Sequence, residues 1–120
     1  MLMLALALAA SFAAQAPPPA PDPVVLSAGL GGCSADFTVT GADGQPVYAA
    51  LIRTTVRYGF MSVKKMELEI STGSDGKARI SGLPLKGKAV EYSVMKGPER
   101  GSATQDLKDK CNASFSIALK

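Results

Sequence analysis

Apolar and polar side chains alternate with a period of two over most of the chain from Cys33 onward, as β-strands with one buried face require. The segments 33–40 and 111–119 share the pattern Cys-x-Ala-x-Phe-x-(Val/Ile), so two distant strands present nearly the same side chains to one face. No segment in this part of the sequence shows a helical period. The predicted strands, seven in all, are 33–40, 48–56, 65–71, 78–80, 90–94, 102–105 and 111–119.

Turn-forming residues separate these strands at intervals of about 8 to 12 residues. They supply the positive φ or the fixed reversal that a tight turn needs, and they are Asp43-Gly44, Asp75-Gly76, Gly87 and Gly97-Pro98. We therefore predict an all-β fold, a single seven-stranded β-sandwich over 33–120. The alternation predicts that its core contains Phe37, Met66, Leu68, Ile70, Tyr92, Val94, Phe115 and Ile117.

Residues 1–16 have the pattern of a secretory signal peptide. Met1–Ala14 is a run of apolar and small residues, and Ala14-Gln15-Ala16 has the small-residue pattern of a cleavage site. A helix of this length covers only about 21 Å, which is short for a bilayer span, so cleavage is favoured over a membrane anchor. Residues 17–32 begin with a proline-rich stretch and are predicted to be a linker. The chain is thus expected to be exported, to the periplasm or to the cell surface.

Three segments resemble the carboxypeptidase regulatory-like domains, which are prealbumin-like sandwiches related to transthyretin. Residues 39–52 resemble the opening of that family, residues 72–84 its second Asp-Gly segment, and residues 90–94 the Tyr-x-Val strand that follows. The resemblance implies an Ig-like, prealbumin-like sandwich that serves as an accessory module without chemistry of its own. Hydrolases and dioxygenases on similar sandwiches use histidine, and this chain contains none. The chain departs from the family at 53–65, which is longer, basic and aromatic.

Cys33 and Cys111 are predicted to form a disulfide, because two cysteines in an exported protein usually pair and both start matched strands. On a chain-entropy model, a bridge that closes so long a loop contributes roughly 4 kcal/mol. The alternative is that Leu30-Gly31-Gly32-Cys33 is a lipobox and that Cys33 carries a lipid, which would be the chain's contact with a membrane. Acylation would leave Cys111 without a partner, so the disulfide is favoured.

Charge and composition exclude several functional classes. The net charge is +3, and the 13 basic and 10 acidic residues alternate along the chain, so nucleic acid is not expected as a partner. The absence of histidine removes the commonest general acid or base and a common metal ligand, and each Asp-Gly turn offers a single carboxylate. We therefore expect no enzymatic activity, no cofactor and no metal site.

The segment 53–65 interleaves aromatic and basic residues without a clean period of two, and Gly59 interrupts it. It is predicted to contain a partner-binding site, and the partner is expected to be a protein or a cell-surface glycan. The alternative is that Phe60 and Met61 cap one end of the sandwich. The function expected is a structural or binding module, or alternatively a small inhibitor or regulatory subunit of an exported enzyme. The candidate binding residues are Arg53, Arg57, Tyr58, Phe60, Met61, Lys64 and Lys65.

Overall fold

A computed structural model describes residues 23–85 and 89–120. The predicted signal peptide, the start of the linker and the turn at Gly87 lie outside the described residues. One short 3-10 turn spans Phe60–Ser62. The strands are β1 (Val25–Ser27), β2 (Cys33–Thr40), β3 (Leu51–Tyr58), β4 (Lys64–Ser71), β5 (Lys77–Leu83), β6 (Val90–Lys96), β7 (Glu99–Gln105) and β8 (Asn112–Ala118).

The strands form two four-stranded sheets, in the orders β1-β5-β2-β8 and β4-β3-β6-β7. The predicted all-β sandwich is thus confirmed, with eight strands in place of seven. The added strand, β1, lies in the segment predicted to be a linker and pairs in parallel with β5. It is too short for an alternating pattern to identify it, and its partner holds it in place. β3 begins at Leu51 and not at residue 48, because Ala49 adopts a left-handed φ of 58° in the preceding turn.

The repeated Cys-x-Ala-x-Phe pattern has a direct structural cause. β2 and β8 pair in parallel and in register, so Ala35 lies beside Ala113 and Phe37 beside Phe115. At the start of this pair Cys33 and Cys111 form the predicted disulfide, with their Cα atoms 4.6 Å apart. The bridge joins an inner and an edge strand of one sheet, and it spans 78 residues of sequence.

The core contains the side chains that alternation predicted. Three aromatic rings lie at its centre, with centroids 4.8 Å apart for Phe37 and Tyr92 and 5.6 Å apart for Phe37 and Phe115. Tyr92 belongs to one sheet and the two phenylalanines to the other, so this cluster joins the sheets. Of the eight predicted core residues, six are buried and two, Met66 and Phe115, are half-buried against them.

One buried polar network accompanies the aromatic cluster. The Tyr92 hydroxyl donates to Gln105 Oε1 at 2.7 Å, and Gln105 Nε2 donates to the carbonyl oxygens of Ser34 at 3.0 Å and Lys110 at 2.7 Å. Burial raises the pKa of the Tyr92 phenol well above its ordinary value, because the charged form would lose its hydration. Gln105 therefore links the two sheets and the loop before β8.

The two Asp-Gly segments form equivalent turns. Asp43 Oδ1 accepts from the Gln45 amide and Asp75 Oδ1 from the Lys77 amide, each at 3.0 Å. Gly44 and Gly76 have φ values of 79° and 73°, which side chains rarely adopt. Both turns lie at the end of the sandwich where β2 ends and β5 begins. The carboxylates thus fix backbone turns, as the sequence predicted.

Candidate partner-binding surface

The candidate surface is the far half of the β3–β4 hairpin. The two strands pair along their whole length, from Leu51 with Ser71 to Tyr58 with Lys64. On its other side β3 pairs with β6 only from Leu51 to Thr54. Within the described residues, the far half of β3 is therefore hydrogen-bonded to β4 alone. The hairpin continues past the neighbouring strand at the end of the sandwich that carries the disulfide.

The hairpin ends in a tight turn whose two central residues, Met61 and Ser62, are neither glycine nor asparagine. Gly59 has a φ of 79°, and Met61 and Ser62 also have left-handed φ values, 55° and 56°. The Val63 amide donates to the Phe60 carbonyl oxygen at 3.4 Å. Positive φ at two successive central residues is typical of type I′ turns, where Asn-Gly or Asp-Gly usually occupies these positions. Met61 and Ser62 each carry local strain here, of about 1–3 kcal/mol.

The apolar side chains of this turn face solvent. Phe60 is 86% exposed, Met61 79% and Val63 72%, the three largest exposures among the exposed large hydrophobic residues of the described chain. The alternative in which Phe60 and Met61 cap the sandwich is therefore wrong. The turn follows the last ladder pair of the hairpin and lies past the core, whereas Tyr58 at its base is half-buried. We call Phe60, Met61 and Val63 the apex.

The basic residues behind the apex differ in their partners. Near the open end of the hairpin Arg53 forms a salt bridge with Glu69 across the strands, at 3.2 Å. Closer to the apex, Arg57 lies opposite Lys65, a cross-strand pair of like charge that is locally unfavourable. Within the described chain, neither of these two residues nor Lys64 forms a salt bridge. The end of the hairpin is therefore a positively charged region without acidic partners.

The outer face of the hairpin borders a shallow, open depression of about 1010 Å³. Its lining includes Arg57, Lys65 and Glu67 from the hairpin and Glu91 and Ser93 from β6. These side chains offer ion pairs and hydrogen bonds. The depression lies beside the charged end of the hairpin and extends the surface that a partner could contact.

The structure thus brings the seven predicted binding residues onto one hairpin, in four settings. Phe60 and Met61 belong to the apex, Lys64, Lys65 and Arg57 lie just behind it, and Tyr58 lies at its base. Arg53 lies about 13 Å from Arg57 along β3, on the side away from the apex, and is already paired with Glu69. The prediction missed Val63, because its exposure depends on the turn that precedes it and not on any alternation.

Among residues 23–85 and 89–120, no cysteine, aspartate or glutamate side chains gather in a group of three or more that could hold a metal ion. Over the same residues, no helix combines the length and the apolar character that a bilayer crossing needs.

Comparison with solved structures identifies a likeness of fold. The dioxygenase domain of a dioxygenase carbohydrate-binding protein fusion from the cellulolytic bacterium Streptomyces sp. SirexAA-E matches with a TM-score of 0.50 and 16% identity, over 88% of this chain and 94% of that chain. The 3-chlorocatechol 1,2-dioxygenase from Rhodococcus opacus 1CP matches with a TM-score of 0.50 and 14% identity, over 88% of this chain and 69% of that chain. Identities this low establish a shared β-sandwich fold alone.

No family model matches the chain, and no curated protein matches it significantly.

Proposed function

We propose that this protein is an exported, non-catalytic β-sandwich that binds a partner through the end of its β3–β4 hairpin. The observation that carries the proposal is the exposed apex, with Phe60 at 86% exposure, followed by three cations for which no salt bridge is described. Exposed apolar residues grouped on one surface mark interaction sites, and aromatic and arginine side chains dominate binding energy at such sites. The expected partner is a protein or a cell-surface glycan.

The inventory of reactive groups supports a binding role. The chain has no histidine, and its two cysteines are joined in a disulfide. Tyr92 is fully buried, and its hydroxyl is bonded to Gln105, so it is not accessible to a substrate. The dioxygenase structures share the fold with this chain, and fold does not carry activity from one protein to another. The motif resemblance to carboxypeptidase regulatory-like domains supports an accessory module of the prealbumin-like kind.

The disulfide supports export. Disulfides form and persist in oxidising compartments such as the periplasm, the cell surface and the extracellular space. The bridge between Cys33 and Cys111 agrees with a signal peptide at 1–16, and it leaves no thiol at Cys33 for a lipid. We therefore propose that the protein resides in the periplasm or at the cell surface.

A small inhibitor or regulatory subunit of an exported enzyme is the second candidate. The observation that favours it is the hairpin itself, which holds Phe60 and Met61 on a tight turn at the end of a fully paired ladder. A preorganised loop of this kind loses little conformational entropy when it enters a cleft of another protein.

Recovery of partners from an envelope extract tests the proposal. The variant Arg57→Ala with Phe60→Ala should recover less partner than the wild type, at an unchanged melting temperature, because both side chains are exposed. The matched control is Tyr48→Ala with Lys96→Ala, which removes one exposed aromatic and one exposed cation at the opposite end of the sandwich. An enzyme recovered in equal amount would favour the inhibitor, and a polymer would favour the surface module. Equal recovery by both variants would refute the hairpin as the binding surface.

A further inference from the structure

The chemistry of the hairpin end indicates one kind of partner more closely. We propose that the apex inserts into the interface of an anionic lipid surface, while the cations behind it contact the headgroups. This inference rests on the proposed function, since it uses the same hairpin end and names its partner. It assigns to this region a lipid surface in place of a protein or a glycan.

The layering of the hairpin end matches the layering of a lipid interface. The apex consists of three exposed apolar side chains, and the next ladder pairs back, Tyr58 with Lys64 and Arg57 with Lys65, supply the cations. Ladder pairs follow one another at about 3.4 Å, so both charged rows lie within about 7 Å of the start of the turn. Side chains that bind at a membrane interface reach about 5–10 Å into the boundary between headgroups and acyl chains. Apolar groups at that depth place the cations among the headgroups.

The sign of the charge supports an anionic surface. From Gln45 to Met66 the sequence contains four basic residues and no acidic residue. The first acid behind the apex is Glu67, opposite Thr55, and the next, Glu69, is bound by Arg53. Glu91 on β6 lines the same depression as Arg57 and is the acid that faces the hairpin from a neighbouring strand. Anionic headgroups would relieve the repulsion between Arg57 and Lys65, which these acids do not bridge.

The shape of the apex favours a lipid surface over the alternatives. The apex is a convex end of chain, and a protein partner would need a matching recess, whereas a lipid surface adapts to it. A glycan ring needs hydrogen-bond donors and acceptors beside the aromatic platform, whereas the three apex side chains supply only a weakly accepting thioether and the turn adds one half-buried hydroxyl, that of Ser62. Three apolar residues with three cations are typical of shallow, reversible and salt-sensitive membrane contact.

A tryptophan reporter tests this directly, because the chain contains no tryptophan. Phe60→Trp places a single fluorophore at the apex, and Tyr48→Trp places one at the opposite end, where Tyr48 is 66% exposed. Vesicles of equal parts phosphatidylglycerol and phosphatidylcholine should shift the emission of the apex reporter to the blue, and brominated lipids should quench it. The Tyr48→Trp reporter should not respond. Both proteins are the mature exported form, so any contribution from the remaining N-terminal region is shared.

Charge variants on the apex reporter complete the test. Each cation near an anionic membrane contributes about fivefold in affinity, so Lys64→Gln with Lys65→Gln should weaken binding about 25-fold. Raised salt and vesicles of pure phosphatidylcholine should act in the same direction. Circular dichroism should show that these exposed substitutions leave the fold intact.

The outcomes separate this inference from the proposed function. A blue shift confined to the apex reporter and lost with the two lysines supports the lipid assignment. No shift, or an equal shift for both reporters, overturns it. In a third outcome, the wild type fails to bind vesicles and yet recovers a protein or a glycan from the envelope extract that Phe60→Ser does not recover. That result overturns the lipid assignment and retains the proposed function.

Discussion

Replacement of Tyr92 by phenylalanine tests the buried network that joins the two sheets. The change removes one oxygen and keeps the ring that packs on Phe37, so no large cavity forms. Gln105 Oε1 then lies in the core without its donor, because Gln105 is 1% exposed and water cannot easily replace the lost hydroxyl. A buried polar atom left unpaired costs about 1–3 kcal/mol, and we expect the free energy of unfolding to fall by this amount near neutral pH.

The same variant should behave differently at high pH. Burial raises the pKa of folded Tyr92 above the ordinary value of about 10 that the unfolded chain retains. The unfolded state therefore releases the phenolic proton first, so the stability from this group is complete below pH 10 and declines as the pH rises above it. At pH 11 the wild type should have lost roughly 1 kcal/mol from this group alone, a loss that Tyr92→Phe does not share.

Urea unfolding of both proteins between pH 7 and pH 11, followed by circular dichroism, measures these effects. The difference in stability between wild type and Tyr92→Phe should be largest near neutral pH and should narrow above pH 10. A difference that stays constant over the whole range would show that the phenol is not protected by burial. An unchanged stability at pH 7 would show that the hydrogen bond to Gln105 does not hold the sheets.

Three further predictions concern the strand faces, the turns and the N-terminus. Leu68→Ala should lower the free energy of unfolding by about 2–4 kcal/mol, because this side chain is buried. The neighbouring Glu67→Ala should lower it by no more than about 0.5 kcal/mol, because Glu67 is exposed. Equal effects of the two variants in urea unfolding would contradict the register of β4. Gly76→Ala should destabilise the protein more than Gly44→Ala, because a Cβ at position 76 would lie 2.5 Å from the Val39 carbonyl oxygen. At Gly44 nothing lies within 4 Å, so only the positive φ is unfavourable, by about 1 kcal/mol. Thermal melting that ranks the two variants in the opposite order would contradict the packing of the turn at Gly76. N-terminal sequencing of exported protein should find a start between Ala14 and Asp22, and a lipid-bearing start at Cys33 would contradict export by a cleaved signal peptide.

Much of the fold is predictable from the sequence because burial on one face imposes a period of two. The alternation around Phe37, Leu68 and Tyr92 assigned the buried faces of three strands, since a slip by one residue would expose each apolar set. The matched Cys-x-Ala-x-Phe segments also predicted the disulfide between Cys33 and Cys111. Alternation does not determine which strands are neighbours, and the parallel pairing of β2 with β8 was not predicted.

The remaining features depend on contacts that no local pattern encodes. Gln105 was placed in a predicted strand, yet its burial follows from a phenol and two carbonyl groups that other segments supply. β1 is stable because β5 offers it a partner. At the candidate site the sequence identified the aromatic and basic composition of 53–65 but not whether Phe60 covers the core or faces solvent. That outcome follows from a left-handed turn at Met61 and Ser62, residues that rarely form one.

Site-specific photo-crosslinking in intact cells tests most directly whether the hairpin end is the binding surface. A benzophenone amino acid replaces Phe60 in one protein and Tyr48 in another, so that two exposed aromatic positions at opposite ends of the sandwich carry the same probe. We predict a discrete adduct, with a protein, a glycan or a lipid, from position 60 and none from position 48. Adducts from position 48 alone, or from neither position while the protein is folded and exported, would contradict the account.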